Sequence, residues 1–205
     1  MSEKKFYTSD FYNQILFETD NFTVKPSLGS FVEGWLLIVP KKHYISLGSM
    51  DDPTLFKELN SLINKIGEIV QKEYGDYVIF ENGSLCADKL VGCGVDFAHL
   101  HFVPLKLNLI EEIQERFNIN YNWEKINDIE SSVSYIKSGK PYLYLRNQQN
   151  ESFITSDDNI PSQLFRKAIA ESMSIGEQYD WKQYKFENNI QRTIDKYSKY
   201  SGQFN

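Results

Sequence analysis

The sequence has few cysteines, few histidines and no basic excess, and these shortages limit what the chain can be. Its 205 residues include two cysteines and three histidines, and the formal net charge is −6. An acidic chain is a poor partner for nucleic acid or for an anionic membrane, because both require a basic face. Two cysteines do not form a structural zinc site by spacing alone. The spacing of Cys86 and Cys93 allows a disulfide, but a reducing compartment favours two free thiols.

Long apolar runs are absent as well. There is no stretch of roughly 18 consecutive apolar residues that would serve as a membrane-spanning helix. The first residues, MSEKKFY, lack the apolar core of a signal peptide, so we expect a cytoplasmic protein. Hydrophobic residues still make up 41% of the chain and aromatic residues 15%, which suffices for a core. We expect one domain, with or without an appended subdomain.

Two of the three histidines lie in residues 92–104 (GCGVDFAHLHFVP). Residues 95–103 predict a buried strand, because apolar and aromatic residues dominate, glycines precede them and Pro104 follows. Side chains alternate between the two faces of a strand, so His99 and His101 would point to the same side. Their Cα atoms would lie roughly 7 Å apart. The sequence therefore predicts a pair of neighbouring imidazole rings.

This stretch resembles the signature of the histidine triad (HIT) family of nucleotide hydrolases and transferases, His-x-His-x-His followed by two apolar residues. Aligned on the strand end, residues 102–104, His99 matches the second, nucleophilic histidine and His101 the third. Phe97 then stands where the family has its first histidine. A phenyl ring cannot form the hydrogen bonds of an imidazole, and losing one buried polar partner costs about 1–3 kcal/mol. We expect weakened activity rather than none.

Two upstream segments carry the same resemblance. Residues 34–43 (GWLLIVPKKH) resemble the family's Gly-His-hydrophobic-Pro-Lys-basic-His segment, which brings in the third histidine, His43. Residues 80–83 (FENG) resemble its strand ending in Asn-x-Gly. The resemblance covers about residues 15–105, and its matches occur in the expected order.

The resemblance implies an α+β fold, in which a HIT-like antiparallel sheet lies under one long covering helix. Apolar residues at three- and four-residue steps predict that helix between about Asp51 and Tyr74, with Gly75 as its stop. Further helices are predicted at residues 108–117, 160–173 and 186–197. Strands are predicted at residues 15–18, 22–25, 34–39, 77–81, 95–103, 142–146 and 151–155.

We divide the chain at residue 105. Residues 1–105 are predicted to form the HIT-like nucleotide-binding and catalytic core. Residues 106–205 are predicted to form a C-terminal extension of helices and a hairpin that packs on the core, and they resemble the extensions of some HIT-like proteins. Three polar side chains of this extension either reach the site or make surface contacts such as ion pairs. They are Arg146, Gln163 and Arg166.

The family resemblance implies chemistry at an α-phosphate through a covalent nucleotidyl-histidine. A neutral imidazole is a good nucleophile at pH 7, and it divides one hard displacement into two easier ones. We assign this role to His99, whose other ring nitrogen must be held as N–H by a backbone carbonyl. His101 would donate to the non-bridging oxygens, and His43 would orient His99 or share this duty.

Substrate-binding residues are predicted around the histidines. Glycines let backbone N–H groups approach a phosphate closely, although glycine also simply makes turns. Asn82 would hold a phosphate or ribose oxygen, and Lys41 is either a solvated turn residue or steers phosphate. Trp35 is expected to be a packing residue. The predicted substrate-binding set is Lys41, Asn82, Gly83, Gly92, Cys93, Gly94 and Phe97.

Three functions fit the sequence. The first is hydrolysis of, or nucleotidyl transfer from, a dinucleoside polyphosphate or a nucleotidyl phosphoramidate. The family most often prefers adenine, so an AMP-containing substrate such as a diadenosine polyphosphate is expected, without metal or other cofactor, and homodimers are common in the family. The second is a metal-dependent hydrolase that uses His43, His99 and His101 as a three-histidine site. The third is a nucleotide-binding module with weakened catalysis.

Overall fold

The structure of the chain is a computed structural model that describes residues 13–85 and 97–204. Within these ranges the chain forms one eight-stranded antiparallel sheet and five α-helices, which confirms the α+β class. The strands are β1 (Phe17–Glu18), β2 (Phe22–Pro26), β3 (Leu36–Pro40), β4 (Tyr77–Gly83), β5 (Leu100–Pro104), β6 (Glu124–Ile126), β7 (Tyr142–Arg146) and β8 (Ser152–Thr155). The helices are α1 (Pro53–Tyr74), α2 (Leu109–Phe117), α3 (Ser132–Lys137), α4 (Leu164–Ser172) and α5 (Glu187–Ser198).

The sheet runs in the order β1-β2-β3-β5-β4-β7-β8-β6. The two predicted hairpins, β1 with β2 and β7 with β8, are confirmed. Strand β7 also pairs with β4, and Gly83 lies opposite Tyr142 in this pair. Strands from both sides of residue 105 therefore share one sheet. The division into a core and an extension stays a prediction.

Helix α1 covers one face of the sheet, as expected of the long helix. It begins after Asp52, whose side chain accepts a hydrogen bond from the amide of Thr54 at 2.8 Å, and ends at Gly75 with a φ of 84°. A positive φ is costly for residues with a Cβ, so glycine suits this helix end. The apolar stripe of α1 belongs to the same core cluster as Leu100 and Phe102 of β5. Among the described helices, none is long and apolar enough to cross a membrane.

The opposite face of the sheet is covered by α2 and α4, which both come from the second half of the chain. Phe165 of α4 joins a second core cluster with Trp35, Phe80 and Val103. His101 points to this second face, because it alternates with the β5 residues that contact α1 and because its ring stacks on Phe80 at 4.6 Å. The face of the sheet that carries His101 is therefore covered by helices of the predicted extension.

The strand predicted at residues 95–103 is wrong at its beginning. Its first two residues lie outside the described ranges, and residues 97–99 are not part of the sheet, so that β5 begins at Leu100. The amide of Ala98 donates instead to the carbonyl of Tyr44 at 2.7 Å. That bond ties the segment to the turn after β3 rather than to a neighbouring strand. Backbone groups need one partner each, and here the partner lies outside the ladder.

Other predicted elements are confirmed with shifted ends. Strand β3 begins at Leu36 rather than at residue 34, and α4 begins at Leu164 rather than at residue 160. The sequence does not predict β6 or α3, which are only three and six residues long. Elements of this length carry too few residues for a repeating apolar pattern.

Candidate functional site

The two histidines of the predicted pair are neighbours in the structure. Their ring centroids lie 4.8 Å apart at an interplanar angle of 73°. His101 lies on β5, and His99 immediately precedes that strand. Both are almost fully covered, since 7% of His99 and 3% of His101 is exposed. A substrate can therefore reach them only where covering atoms make room.

Burial keeps both imidazoles neutral. It is the main cause that lowers the pKa of His99 to about 4; the charge of Arg166 acts in the same direction, and the hydrogen bond to the Phe97 carbonyl opposes it. Burial also holds the pKa of His101 well below its usual value, with smaller contributions from His99 and Arg166. Neither ring carries a positive charge near pH 7.

His99 carries its proton on Nδ1. That atom lies 2.7 Å from the carbonyl oxygen of Phe97, which can only accept a hydrogen bond. In a neutral ring the other nitrogen, Nε2, then holds the lone pair. The backbone bond that the sequence requires of a nucleophilic histidine is thus present, although the role itself stays a prediction.

His101 carries its proton on the other nitrogen. Its Nδ1 lies 3.0 Å from Nε1 of Trp35, and an indole N–H can only donate. Nδ1 of His101 therefore accepts, and the proton of the neutral ring is on Nε2. The two neighbouring histidines have opposite tautomers, with a lone pair on Nε2 of His99 and an N–H on Nε2 of His101.

Trp35 is more than the packing residue that the sequence predicts. It lies just before β3, two residues from Leu37, which is opposite His101 in the β3–β5 pair. Residues on this diagonal of an antiparallel pair lie on one face and within reach of long side chains. The register of β3 against β5 would predict this contact, but the sequence alone does not reveal that register.

Of the three side chains considered from the extension, Arg166 comes close to the histidines. It lies on α4, is buried, and its charge lowers the pKa of both rings. Arg146 acts elsewhere: burial raises the pKa of Tyr77 and of Tyr144, and the charge of Arg146 opposes part of that rise. Gln163 lies directly before α4 with a φ of 58°.

Phe97 connects the third histidine to the pair. Its ring packs edge-on against the ring of His43 at 4.7 Å, with an interplanar angle of 90°, while its carbonyl accepts the bond from His99. His43 itself is exposed. The predicted role of His43 in orienting His99 would therefore act through Phe97, and this role stays a prediction.

The other predicted substrate-binding residues have different surroundings. Asn82 is buried, and by alternation along β4 it shares a face with Phe80 and so with His101. A Cβ on Gly83 would come within 2.2 Å of the ring of Tyr142, so this glycine makes room for a tyrosine. The ammonium of Lys41 lies 3.0 Å from a carboxylate oxygen of Glu18. Their roles in binding stay predictions.

Several sequence-predicted residues lie outside the described ranges. They are Gly92, Cys93 and Gly94 of the predicted phosphate loop, together with Cys86.

A three-histidine metal site finds no support in the described part of the chain. Within it, no group of three or more His, Cys, Asp or Glu side chains is arranged to hold a metal ion. His43, His99 and His101 all lie in this part, so they do not form such a group.

The histidine pair offers two complementary groups. A lone pair on Nε2 of His99 can attack an electrophilic phosphorus. An N–H on Nε2 of His101 can stabilise negative charge that develops on phosphoryl oxygens. Neutral rings suit both roles, because a protonated His99 would have no lone pair.

Comparisons with known proteins add little to this. No family model matches the chain, and no curated protein sequence matches it. Among solved structures, the crystal structure of a Hit-like protein involved in cell-cycle regulation from Bartonella henselae is similar to it. The two chains are 21% identical, and the match covers 60% of this chain and 84% of the other with a TM-score of 0.36. At this TM-score the likeness carries no argument, so the HIT resemblance continues to depend on the motifs.

Proposed function

We propose that the chain is a HIT-like nucleotide hydrolase or nucleotidyltransferase that acts at an α-phosphate through a covalent nucleotidyl-His99. Nε2 of His99 attacks the α-phosphorus, a P–N bond forms, and the bond from phosphorus to the leaving group breaks. Water or another acceptor then attacks the same phosphorus and releases His99. AMP-containing dinucleoside polyphosphates and nucleotidyl phosphoramidates are the substrates to test first.

The opposite tautomers of the two neutral histidines are the observation that carries this proposal. The Phe97 carbonyl leaves the lone pair of His99 on Nε2, and Trp35 leaves the N–H of His101 on Nε2. A phosphoryl transfer needs little more from the protein than a placed nucleophile and placed donors. The adjacent rings, 4.8 Å apart, supply one of each.

Turnover of a substrate panel by matched variants tests the proposal. Adenylated and guanylated dinucleoside polyphosphates and phosphoramidates are offered to the wild type, His99→Gln, His101→Gln and His43→Gln. We expect His99→Gln to lose at least about 10³-fold in kcat and His101→Gln roughly 10²-fold, because they remove the nucleophile and one donor. His43→Gln is expected to lose less than either. Unchanged turnover in His99→Gln would refute the assignment.

A second candidate is a nucleotide-binding module with weak catalysis. It is favoured by the low exposure of the rings, 7% and 3%, and by Phe97 in place of a histidine. Calorimetry with AMP and GMP, paired with product detection, separates the two candidates. Tight binding without product supports the module. A rate gain in Phe97→His would identify Phe97 as the cause of weak catalysis, and no gain would exclude it as the cause.

A further inference from the structure

An indole from the edge of β3 and a buried arginine from α4 meet beside His101. We infer that Trp35 and Arg166 are positioning residues that fix His101 as the Nε2–H tautomer, and that the C-terminal part of the chain completes the histidine site in this way. The tautomer itself does not depend on the proposed function. Only its catalytic consequence rests on that function.

The hydrogen bond from Trp35 sets the proton of His101. The distance from Nε1 of Trp35 to Nδ1 of His101 is 3.0 Å, and the indole is completely buried. A proton on Nδ1 would place two N–H groups face to face, and the buried indole donor would lose this acceptor. Phe80 stacks on the same imidazole with centroids 4.6 Å apart and holds its plane. The ring is therefore fixed in orientation and in tautomer by different neighbours.

Arg166 holds the indole in turn. Its guanidinium carbon lies 4.7 Å from the centroid of the Trp35 ring, in a cation–π arrangement. The same guanidinium donates from Nε to the carbonyl of Tyr179 at 3.0 Å and from Nη2 to the carbonyl of Gly29 at 2.5 Å. These bonds connect the extension with the segment that leads into β3. A planar fork that bridges two carbonyls and stacks on an indole is specific to arginine, because lysine offers only a point charge.

The arrangement gives the extension a role at the site. With Trp35 in place, the N–H of His101 is on Nε2, which is the nitrogen not engaged by Trp35. Without it, the neutral ring can move its proton to Nδ1, and the donor would then be directed into the protein. The proposed phosphoryl chemistry would lose one of its two groups while His99 stays intact.

Nitrogen NMR of the labelled wild-type protein tests the tautomers directly. Long-range ¹H–¹⁵N correlations distinguish the two neutral tautomers of each histidine at pH 7. We expect Nε2–H for His101 and Nδ1–H for His99, with a coupling across the hydrogen bond between the ring nitrogens of Trp35 and His101. A proton on Nδ1 of His101, or a doubly protonated ring at pH 7, would overturn the inference. This measurement needs neither a variant nor a substrate.

Variants separate the hydrogen bond from mere packing. Trp35→Phe keeps an aromatic ring but removes the donor, and we expect His101 to lose its pure Nε2–H tautomer while His99 keeps Nδ1–H. Phe80→Leu is the matched control, because it removes a ring from the same imidazole without removing a hydrogen bond. An unchanged His101 tautomer in Trp35→Phe, or an equal change in Phe80→Leu, contradicts the role of Trp35. If Trp35→Phe does not fold, the wild-type spectrum decides.

Arg166 is tested with Arg166→Met and Arg166→Lys. Both lose the fork that bridges Gly29 and Tyr179, and only the lysine keeps a charge. We expect faster hydrogen exchange of the Trp35 indole N–H in both variants, as its holding partner is lost. Exchange as slow as in the wild type would remove Arg166 from the inference. If the wild type turns over no nucleotide, the proposed function fails, but the NMR outcome still decides the tautomers.

Discussion

At the scale of single residues, identical side chains acquire different chemistry from the atom that each one contacts. His99 meets a carbonyl and His101 meets an indole N–H, so their protons are on different nitrogens. Burial leaves both neutral, which is required for a nucleophile and harmless for a donor. The Phe97 carbonyl and the Trp35 indole N–H are therefore enough to assign the two tautomers.

The buried histidines should make the protein sensitive to acid. His99 has a folded pKa of about 4 against an ordinary value of 6.5, so between these values the unfolded chain binds more protons. The contribution of neutral His99 to the free energy of unfolding is fully present above pH 6.5 and is lost as the pH falls toward 4. As the pH falls from 7 to 4, we expect the free energy of unfolding of His99→Gln to rise by about 3 kcal/mol relative to that of the wild type.

Urea unfolding at pH 7, 5.5 and 4 measures this gain. His43→Gln is the control, because it removes a histidine whose side chain is exposed. A constant difference in unfolding free energy between His99→Gln and the wild type at all three pH values would contradict the burial account.

A buried carboxyl on the sheet face opposite to His101 should make the free energy of unfolding fall as the pH rises, which is the opposite of the effect of His99. Glu81 accepts hydrogen bonds from the hydroxyl of Tyr142 and from the amide of Leu47, the latter at 2.8 Å. Burial nevertheless raises the pKa of Glu81 to about 7, so its contribution is present below about 4.5 and is lost as the pH rises through 7. As the pH rises from 5 to 8, we expect the free energy of unfolding of Glu81→Gln to rise by about 2 kcal/mol relative to that of the wild type. Thermal unfolding at both values measures it, with the exposed Glu111→Gln as the control.

At the scale of elements, the long helix and the hairpins were predictable and the start of β5 was not. The helix has an aspartate cap, a proline and an apolar repeat, all of which are local signals. Residues 95–103 also have the composition of a strand, but the carbonyl of Tyr44 accepts the hydrogen bond of the Ala98 amide, so this amide does not pair with a neighbouring strand. That partner is distant in the sequence, so no local pattern could predict it.

The glycine at the end of β4 gives a prediction about strand packing. A Cβ on Gly83 would lie 2.2 Å from ring carbons of Tyr142, and the buried hydroxyl of that tyrosine is bonded to Glu81 and to Gly48. The ring cannot easily move away, so we expect Gly83→Ala to destabilise the protein by about 2 kcal/mol. Gly202→Ala, where an added Cβ meets nothing within 4 Å, is the matched control. Chemical denaturation compares the two, and equal stability would contradict the packing account.

At the scale of the whole molecule, the predicted extension is part of the sheet and roofs the histidine-bearing face. Strand β7 pairs with β4, and Tyr197 of α5 donates its hydroxyl to the carbonyl of Gly34 at 3.1 Å. The sequence predicts the elements of this region but not their pairing, because pairing depends on contacts across the division at residue 105. The same holds for the site. The histidine pair is predictable because its members are close in the sequence, whereas the contacts of His101 with Trp35 and of Trp35 with Arg166 join distant parts of the chain.

Removing the extension should therefore prevent independent folding. A chain of residues 1–105 would expose one edge of β4 and the apolar side chains of Trp35, Phe80 and Val103. We expect it to lack a cooperative thermal transition and the near-ultraviolet circular dichroism of the full chain. Cooperative unfolding of the truncated chain as a monomer would show that residues 1–105 are a domain in their own right.

Covalent trapping on His99 tests the central claim most directly. The wild type and His99→Gln are mixed briefly with a diadenosine polyphosphate and quenched in denaturant at alkaline pH, and digested peptides are then analysed by mass spectrometry. The account predicts an adenylyl group on the peptide that contains His99, at that residue, in the wild type only. Product formation by the wild type without such an adduct, together with equal product from His99→Gln, would contradict it.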